Sequence, residues 1–373
     1  MAFFDYALKQ IIAKDNLLVK VNNIINWEII RNKLDDKLGV RKAFTPGQTP
    51  YEYINLFKIL LIQQWHNLSD PKMEESLKTR IDFMWFCNFG LATDKFVVPD
   101  ETTICRFRNK LIKNNLLEDL LSLVNKCLED NNLKVKISHG AILDATLIES
   151  SVNSKAKPNV VVTDRDEDNN NDDDNNSGTG SKILKANDQS DVELDKDAKW
   201  LKKGKRTIFG YKNFVITDIK DGYIETIDTA PANTSEINYL DVILSKVKTK
   251  DKIKVLFTDK EYASKHNIKI LAAKNIGNGI MDKATRNNPL SKKQLNRNKR
   301  IGKIRYIVER TNATTTTRFN FRKSKYLGLL KTKSQSLLVA IAHNLLKAAN
   351  KIELINTNSR IIVSNVCNFG LFA

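Results

Sequence analysis

The chain has 373 residues, 41% of them hydrophobic and 28% charged, a soluble globular composition with room for roughly two or three domains. Its 61 Lys and Arg outnumber 43 Asp and Glu for a formal net charge of +18, which makes nucleic acid the default partner; charge alone leaves open a ribosome-associated or merely basic protein. No stretch approaches the roughly 18 consecutive apolar residues of a membrane span, and Met1 to Asn16 carry Asp5, Lys9, Lys14 and Asp15 without the apolar core of a secretion signal.

Residues 1–135 read as helical. Tyr51–His66 places Tyr53, Leu56, Phe57, Leu60, Leu61 and Trp65 near the spacing of an amphipathic helix. Asp70 before Pro71 reads as the N-cap of a second helix running through Arg80. Pro99-Asp100-Glu101-Thr102 opens a third helix, with Ile104, Phe107 and Leu111 inward and Arg106, Arg108, Lys110 and Lys113 on the other faces. Such a basic face suits a phosphate backbone and suits plain solvent equally well. Cys87, Cys105, Cys127 and Cys367 have no paired spacing, so they indicate neither a zinc site nor a disulfide framework, but buried thiols in a reducing compartment.

Residues 136–350 read as an α/β domain. Ala141–Ile148 is a short β-favouring run. Thr207–Thr217 and Tyr223–Thr229 flank Asp221-Gly222, a hairpin turn signal. A helix over Ile237–Val247, a buried strand over Ile253–Phe257 and a helix over Ala263–Ala273 follow, an α/β layer order. Within this domain Asp164–Asn176 holds seven acidic residues and five asparagines with no apolar side chain, so about 159–195 reads as a disordered acidic, Asn-rich loop. A calcium loop would need a regular ligand spacing with its glycine, and that is missing. From Lys283 to Val308 there are nine Lys and Arg and no acid, so Glu309 is the first carboxylate after a long basic approach, on a helix starting near Asn298. Ser334–Lys351 is another amphipathic helix, and 351–373 reads as a tail without chemistry.

Three carboxylates stand out in this order. Asp144 interrupts the apolar run Ala141-Ile142-Leu143, where a buried charge is costly unless a metal or cation compensates it. Asp259 follows the strand Ile253–Phe257 at its carboxyl end, where open α/β sheets place their sites. Glu309 is an isolated acid on a basic helix. Carboxylates converging from separate segments are what two-metal phosphodiester chemistry needs, and each alone is weak evidence, since a strand-end Asp is often only a helix cap.

The wider pattern resembles the transposases of bacterial insertion sequences, specifically the insertion-sequence-five (IS-five) family, over about residues 45–350. The resemblance rests on Leu56–Lys58, Leu68-Ser69-Asp70-Pro71 with Glu74-Glu75, and Pro99-Asp100-Glu101-Thr102-Thr103 with Arg106-Phe107-Arg108. Further along it rests on Leu143-Asp144-Ala145-Thr146, Trp200–Gly204 with Phe209-Gly210-Tyr211-Lys212, and Pro231-Ala232-Asn233. Thr258-Asp259-Lys260 with Tyr262, Arg305 with Val308-Glu309-Arg310, Tyr326 with Gly328, and Asn344–Lys347 complete it. It implies a ribonuclease-H-like catalytic domain behind an all-helical N-terminal DNA-binding region. It also implies Asp144, Asp259 and Glu309 as catalytic, metal-holding residues, with Mg2+ as cofactor and Mn2+ able to substitute.

In that chemistry water first hydrolyses the phosphodiester at the element end, and the exposed 3′-hydroxyl then attacks target DNA. The partner is double-stranded DNA, contacted through Arg106, Arg108, Lys110, Lys202, Lys203, Lys212, Arg305 and Arg310. Bringing two ends together implies a homodimer or larger assembly, working in the bacterial cytoplasm on the nucleoid. One departure stands out. The family pattern follows its helical Glu with an aromatic-glycine pair and a Lys seven residues on, whereas this chain reads Thr311-Asn312-Ala313 and has Thr316 at the Lys position. The alternative function is therefore an impaired copy that acts only as a sequence-specific DNA-binding protein.

Overall fold

The computed structural model describes residues 12–13, 15–39, 50–89, 98–152, 161–163, 181–185, 195–203, 206–248, 253–285 and 288–368, with backbone alone for 161–163, 181–185 and 353–368. The chain forms two compact units, one of residues 1–136 and 338–373, the other of 137–337.

The first unit is helical: α1 Leu17–Ile24, α2 Trp27–Leu38, α3 Tyr53–His66, α4 Asp70–Thr79, α5 Ile81–Phe86, α6 Glu101–Lys113 and α7 Leu116–Asp130, joined by α11, Leu329–Asn368, from Leu338 onward. α3 is not the half-exposed amphipathic helix its spacing indicates, because every residue from Tyr53 to Trp65 is buried. Even Lys58 is enclosed, its ammonium 4.6 Å from the Trp27 ring centroid and 4.8 Å from that of Phe86. Ser69, not Asp70, caps α4; Asp70 is its first helical residue, with Pro71 behind it. Asp100 caps α6 by accepting the Thr103 N–H at 2.7 Å. The returning α11 is tied to this unit by Trp65, whose indole N–H donates to the Ala342 carbonyl at 2.9 Å. It is also tied by Asn344, whose amide donates to Asn125 Oδ1 at 2.7 Å.

The second unit is a mixed sheet flanked by helices. Its strands are β1 Ala141–Glu149, β2 Val161–Thr163, β3 Ser181–Lys185, β4 Lys199–Lys203, β5 Arg206–Asp218, β6 Ile224–Pro231, β7 Val255–Thr258 and β8 Gly277–Ile280, and its helices α8 Glu236–Ser245, α9 Lys265–Ala273 and α10 Lys292–Thr317. The order is β2-β3-β4-β5-β1-β7-β8, with β6 also on β5. β5 is long enough to serve two neighbours along one edge, β4 through Arg206–Gly210 and β6 through Tyr211–Thr217. β5 runs antiparallel to β1, while β7 and β8 run parallel to it. The span expected to be a loop at about 159–195 contains β2 and β3, paired antiparallel; the acidic run between them lies outside the described residues.

The β1 pleat sorts its side chains. Ala141 and Leu143 join Phe214, Ile216, Leu240, Ile243, Leu256 and Leu271 in the core shared with α8 and α9. The alternate positions Ile142 and Asp144 face away from that core, toward α10, which packs on β1 and β7. Three anchors fix α10. A capping box at Ser291 and Gln294 starts it six residues before the Asn298 expected from sequence. Arg297 donates to the Ile280 carbonyl at 2.6 Å and Asn298 to the Asp282 carbonyl at 2.9 Å. In its C-terminal part, Thr311 Oγ1 donates to the Gly222 carbonyl at 2.8 Å. Gly222 lies in the β5–β6 turn at φ +77°, and a Cβ there would meet Thr311 Oγ1 at 2.5 Å, so only glycine allows this approach.

Buried His343 on α11 sets a pH limit on the helical unit. Burial, aided by Lys347, pushes its imidazole down to about 4. A depressed folded value means the unfolded chain takes the proton first, so stability present above about pH 6.5 is lost as pH falls toward 4. Urea unfolding from pH 7.5 to 4 should show His343→Gln losing less than the wild type, by on the order of 3 kcal/mol. Parallel profiles would contradict this role.

Candidate active site

The parallel register of β1 and β7 pairs Ala141 with Leu256 and Ile142 with Phe257. Two residues further along lie Asp144, still on β1, and Asp259, just beyond the end of β7. Asp259 follows β7 and caps a one-turn 3-10 helix, Lys260–Tyr262, its carboxylate accepting the Lys260 N–H at 2.6 Å. Glu309 comes from α10, largely exposed, with 55% of its side chain in solvent. The three segments meet at one cation. Arg305 Nη2 lies 2.9 Å from Asp144 Oδ1, and its Nη1 lies 3.8 Å from Asp259 Oδ1 and 3.9 Å from Glu309 Oε1.

Both oxygens of Asp144 are engaged, since Asn312 Nδ2 donates to Oδ2 at 2.9 Å. Arg305 and Asn312 belong to the stripe Ile301, Arg305, Val308, Thr311, Asn312 and Thr315 that α10 buries against the sheet. They are polar members of an otherwise inward row, and Asp144 is what they meet. Burial pushes the Asp144 carboxyl up to about 6, against the lowering pull of Arg305, while Glu236 and Asp259 add to the rise. Burial also raises the Tyr262 phenol far above its usual value, with Glu236 and Asp144 contributing, and its hydroxyl has no hydrogen-bond partner among the described residues.

The carboxylates are a donor set of the kind a hard divalent cation takes, oxygen only, from three segments. Among the described residues, however, no three acid, His or Cys side chains stand close enough to hold an ion together. The Arg305 guanidinium lies in their midst. The set fits a metal by chemistry, with Arg305 lying where the positive charge belongs.

Sequence reasoning missed Asn312, although one signal was available: it lies seven residues after Arg305 on the same helical stripe, and a buried amide needs a partner. It also read three basic residues as facing DNA that the structure turns inward. Arg305 is buried among the acids. Arg108, 3% exposed, pairs with Asp70, because the buried row of α6 includes it beside Phe107 and Leu111. Lys212, 4% exposed, donates to the Thr234 carbonyl at 2.9 Å and pairs with Glu236 at 3.3 Å, because β5 is a central strand covered on both faces. Lys110 is half-buried, bonded to Tyr53 and to the Leu38 carbonyl. Arg106, Lys203 and Arg310 are exposed and Lys202 half-buried, so these keep charge at the surface.

Comparison with known proteins agrees with this architecture. Residues 141–345 match the model described as "Transposase DDE domain", and residues 6–110 match "Transposase domain (DUF772)". A curated relative, the transposase for insertion sequence element IS1106 of Neisseria meningitidis serogroup B, is 35% identical over 247 residues, covering 66% of this chain and 78% of that protein. No solved structure is a significant match.

Arg108 separates a structural role from a DNA-contacting one. Arg108→Ala should cost about 3 kcal/mol in urea unfolding, because it strands the Asp70 carboxylate. A variant as stable as wild type but weaker on DNA would return Arg108 to the binding face.

Proposed function

This chain belongs to the DDE-domain transposases of insertion sequences, and we propose that it binds the terminal inverted repeats of its element, hydrolyses the end phosphodiesters and joins the freed 3′ ends to target DNA. The observation that carries the mechanism is the meeting of Asp144, Asp259 and Glu309 around one cationic group. In this reading these three hold the divalent cations, Mg2+ or Mn2+, which when bound activate the attacking oxygen and steady the leaving one. The rigid elements behind them do the positioning: β1 and β7 fix the two aspartates in register, and α10 brings Glu309 over the strand ends.

Two in-line displacements follow. In the first, a water oxygen attacks the phosphorus at the element end, and the 3′ oxygen leaves as a hydroxyl. In the second, that hydroxyl attacks a target phosphodiester and the target's own 3′ oxygen leaves. The order β6-β5-β1-β7-β8, with two antiparallel and then two parallel pairings, supports a ribonuclease-H-like catalytic domain. The motifs around Asp144, Asp259 and Glu309 support placement in the IS-five family. The helical region of residues 1–135 is assigned to recognition of the element ends, with Arg106 on its surface, and Lys203 and Arg310 contact DNA from the catalytic domain. Holding two ends together calls for a dimer or larger assembly. No helix among the described residues is long and apolar enough to cross a membrane.

A second reading, a copy that binds element ends without efficient cutting, is favoured by Thr316. α10 runs unbroken through Thr314–Thr317, each hydroxyl donating back to a carbonyl three or four residues earlier, as Thr316 does to Asn312 at 2.9 Å. Position 316 therefore stays on the helix, within roughly 20° of Glu309 about the axis, with a hydroxyl too short to reach a phosphate.

Asp144→Asn and Asp259→Asn should each abolish Mg2+-dependent nicking of element-end DNA while leaving its binding in a gel-shift assay largely intact. Wild-type nicking by either variant rejects the assignment of the carboxylates. Thr316→Lys should raise end affinity and steepen the slope of log affinity against log salt by about 0.9, one added phosphate contact. An unchanged slope with unchanged cleavage rejects Thr316 as a lost contact.

A further inference from the structure

Asp144 is held at two points by α10. Arg305, seven residues before Asn312, takes one oxygen at 2.9 Å, and Asn312 takes the other at 2.9 Å. The two donors differ in what else they do. Asn312 is a neutral amide dedicated to this bond, in the stretch where the family pattern has an aromatic-glycine pair. The Arg305 guanidinium is shared among three acids, at 2.9, 3.8 and 3.9 Å, and its Nε is buried with no hydrogen bond among the described residues. An arginine held by charge yet incompletely bonded is a replaceable ligand, since part of its solvation is lost without return.

We propose that Arg305 is the resident cation of the metal-free site, displaced from Asp144 when a divalent ion enters, and that Asn312 is the positioning residue that keeps the second Asp144 oxygen fixed through the exchange. The inference rests on the reading of Asp144, Asp259 and Glu309 as metal ligands. Its physical basis is charge. Three carboxylates close together repel one another, and Arg305 offsets that repulsion while the metal is absent. A guanidinium and a divalent ion compete for Oδ1, because at this partly buried carboxylate their mutual repulsion is only weakly screened. Asn312 carries no charge and has no such conflict. Among the described residues no three acid, His or Cys side chains are close enough to hold an ion, so the carboxylates must draw in when one enters.

Calorimetric titration of Mn2+ into the full-length protein without DNA tests this, alongside thermal melts in EDTA and in Mn2+. Arg305→Gln should bind Mn2+ about tenfold more tightly than wild type, the competitor being gone. Its metal-free form should melt lower and recover the loss in Mn2+. Asn312→Ala should bind Mn2+ about tenfold more weakly, as loss of an orienting partner does. Mn2+ affinity in Arg305→Gln equal to or below that of wild type overturns the displacement, and wild-type affinity in Asn312→Ala overturns the positioning role. Asp144→Asn separates these failures from a deeper one, for if it binds Mn2+ as wild type does, the ligand assignment itself falls. Should Arg305→Gln not fold, the Arg305 Nε–Hε NMR signal of the wild type, identified by its absence from Arg305→Lys, decides: it shifts on addition of Mg2+ if Arg305 is displaced, and a fixed signal overturns the proposal.

Discussion

A carboxylate placed on a central strand, with its neighbours Leu143 and Ile142 fully buried, demands compensation, and much of the catalytic unit is arranged to provide it. Asp144 lies on the β1 face opposite the apolar core. The helix that covers this face is therefore not an ordinary apolar lid, because it must present a guanidinium and an amide at fixed places. That requirement sets both the rotation of α10 about its axis and its position along β1. The stripe running from Ile301 to Thr315 is thus only partly hydrophobic: Ile301 and Val308 pack, while Arg305 and Asn312 bond.

The supports around α10 follow from the same demand. A helix carrying two donors to one carboxylate tolerates little sliding, since one residue of slip moves every side chain by about 1.5 Å and turns it by about 100°. Arg297 and Asn298 hold its first turns to the end of β8, and Thr311 ties its C-terminal part to the β5–β6 turn. That turn is itself over-determined. Asp218 accepts the backbone N–H groups of Lys220, Asp221 and Tyr223, and Gly222 leaves the space that Thr311 fills. A chain of short-range bonds thereby connects a surface hairpin to the centre of the site.

Much of this was legible in the residues, and what was not has physical causes. Asp221-Gly222 announced its hairpin because few residues accept a left-handed turn. The strand-end place of Asp259 followed from the apolar run before it. The short strand Gly277–Ile280 was hidden, because its two glycines erase the β signature and its pairing with β7 is non-local. The inward turn of Arg108 and Lys212 was hidden for a different reason. A basic residue reads as exposed unless its acidic partner is known, and Asp70 and Glu236 stand 38 and 24 positions away. Arg305 was noticed as a cation and given an outward role, since nothing local shows that three acids from distant segments surround it.

The return of α11 to the helical unit has a consequence for synthesis. The first segments of that unit leave the ribosome well before the catalytic unit is made, yet the part of α11 that closes their core starts only at Leu338. Until then the Trp65 indole lacks the Ala342 carbonyl, and the buried Asn125 lacks Asn344. The unit is topologically split, so its final form awaits synthesis of residues beyond 337. A product released early, through a frameshift or nonsense codon in the catalytic unit, would carry the surface arginine of α6 on an unfinished core and be open to proteolysis. Faulty copies of the gene would therefore remove their own products instead of leaving a stable fragment behind.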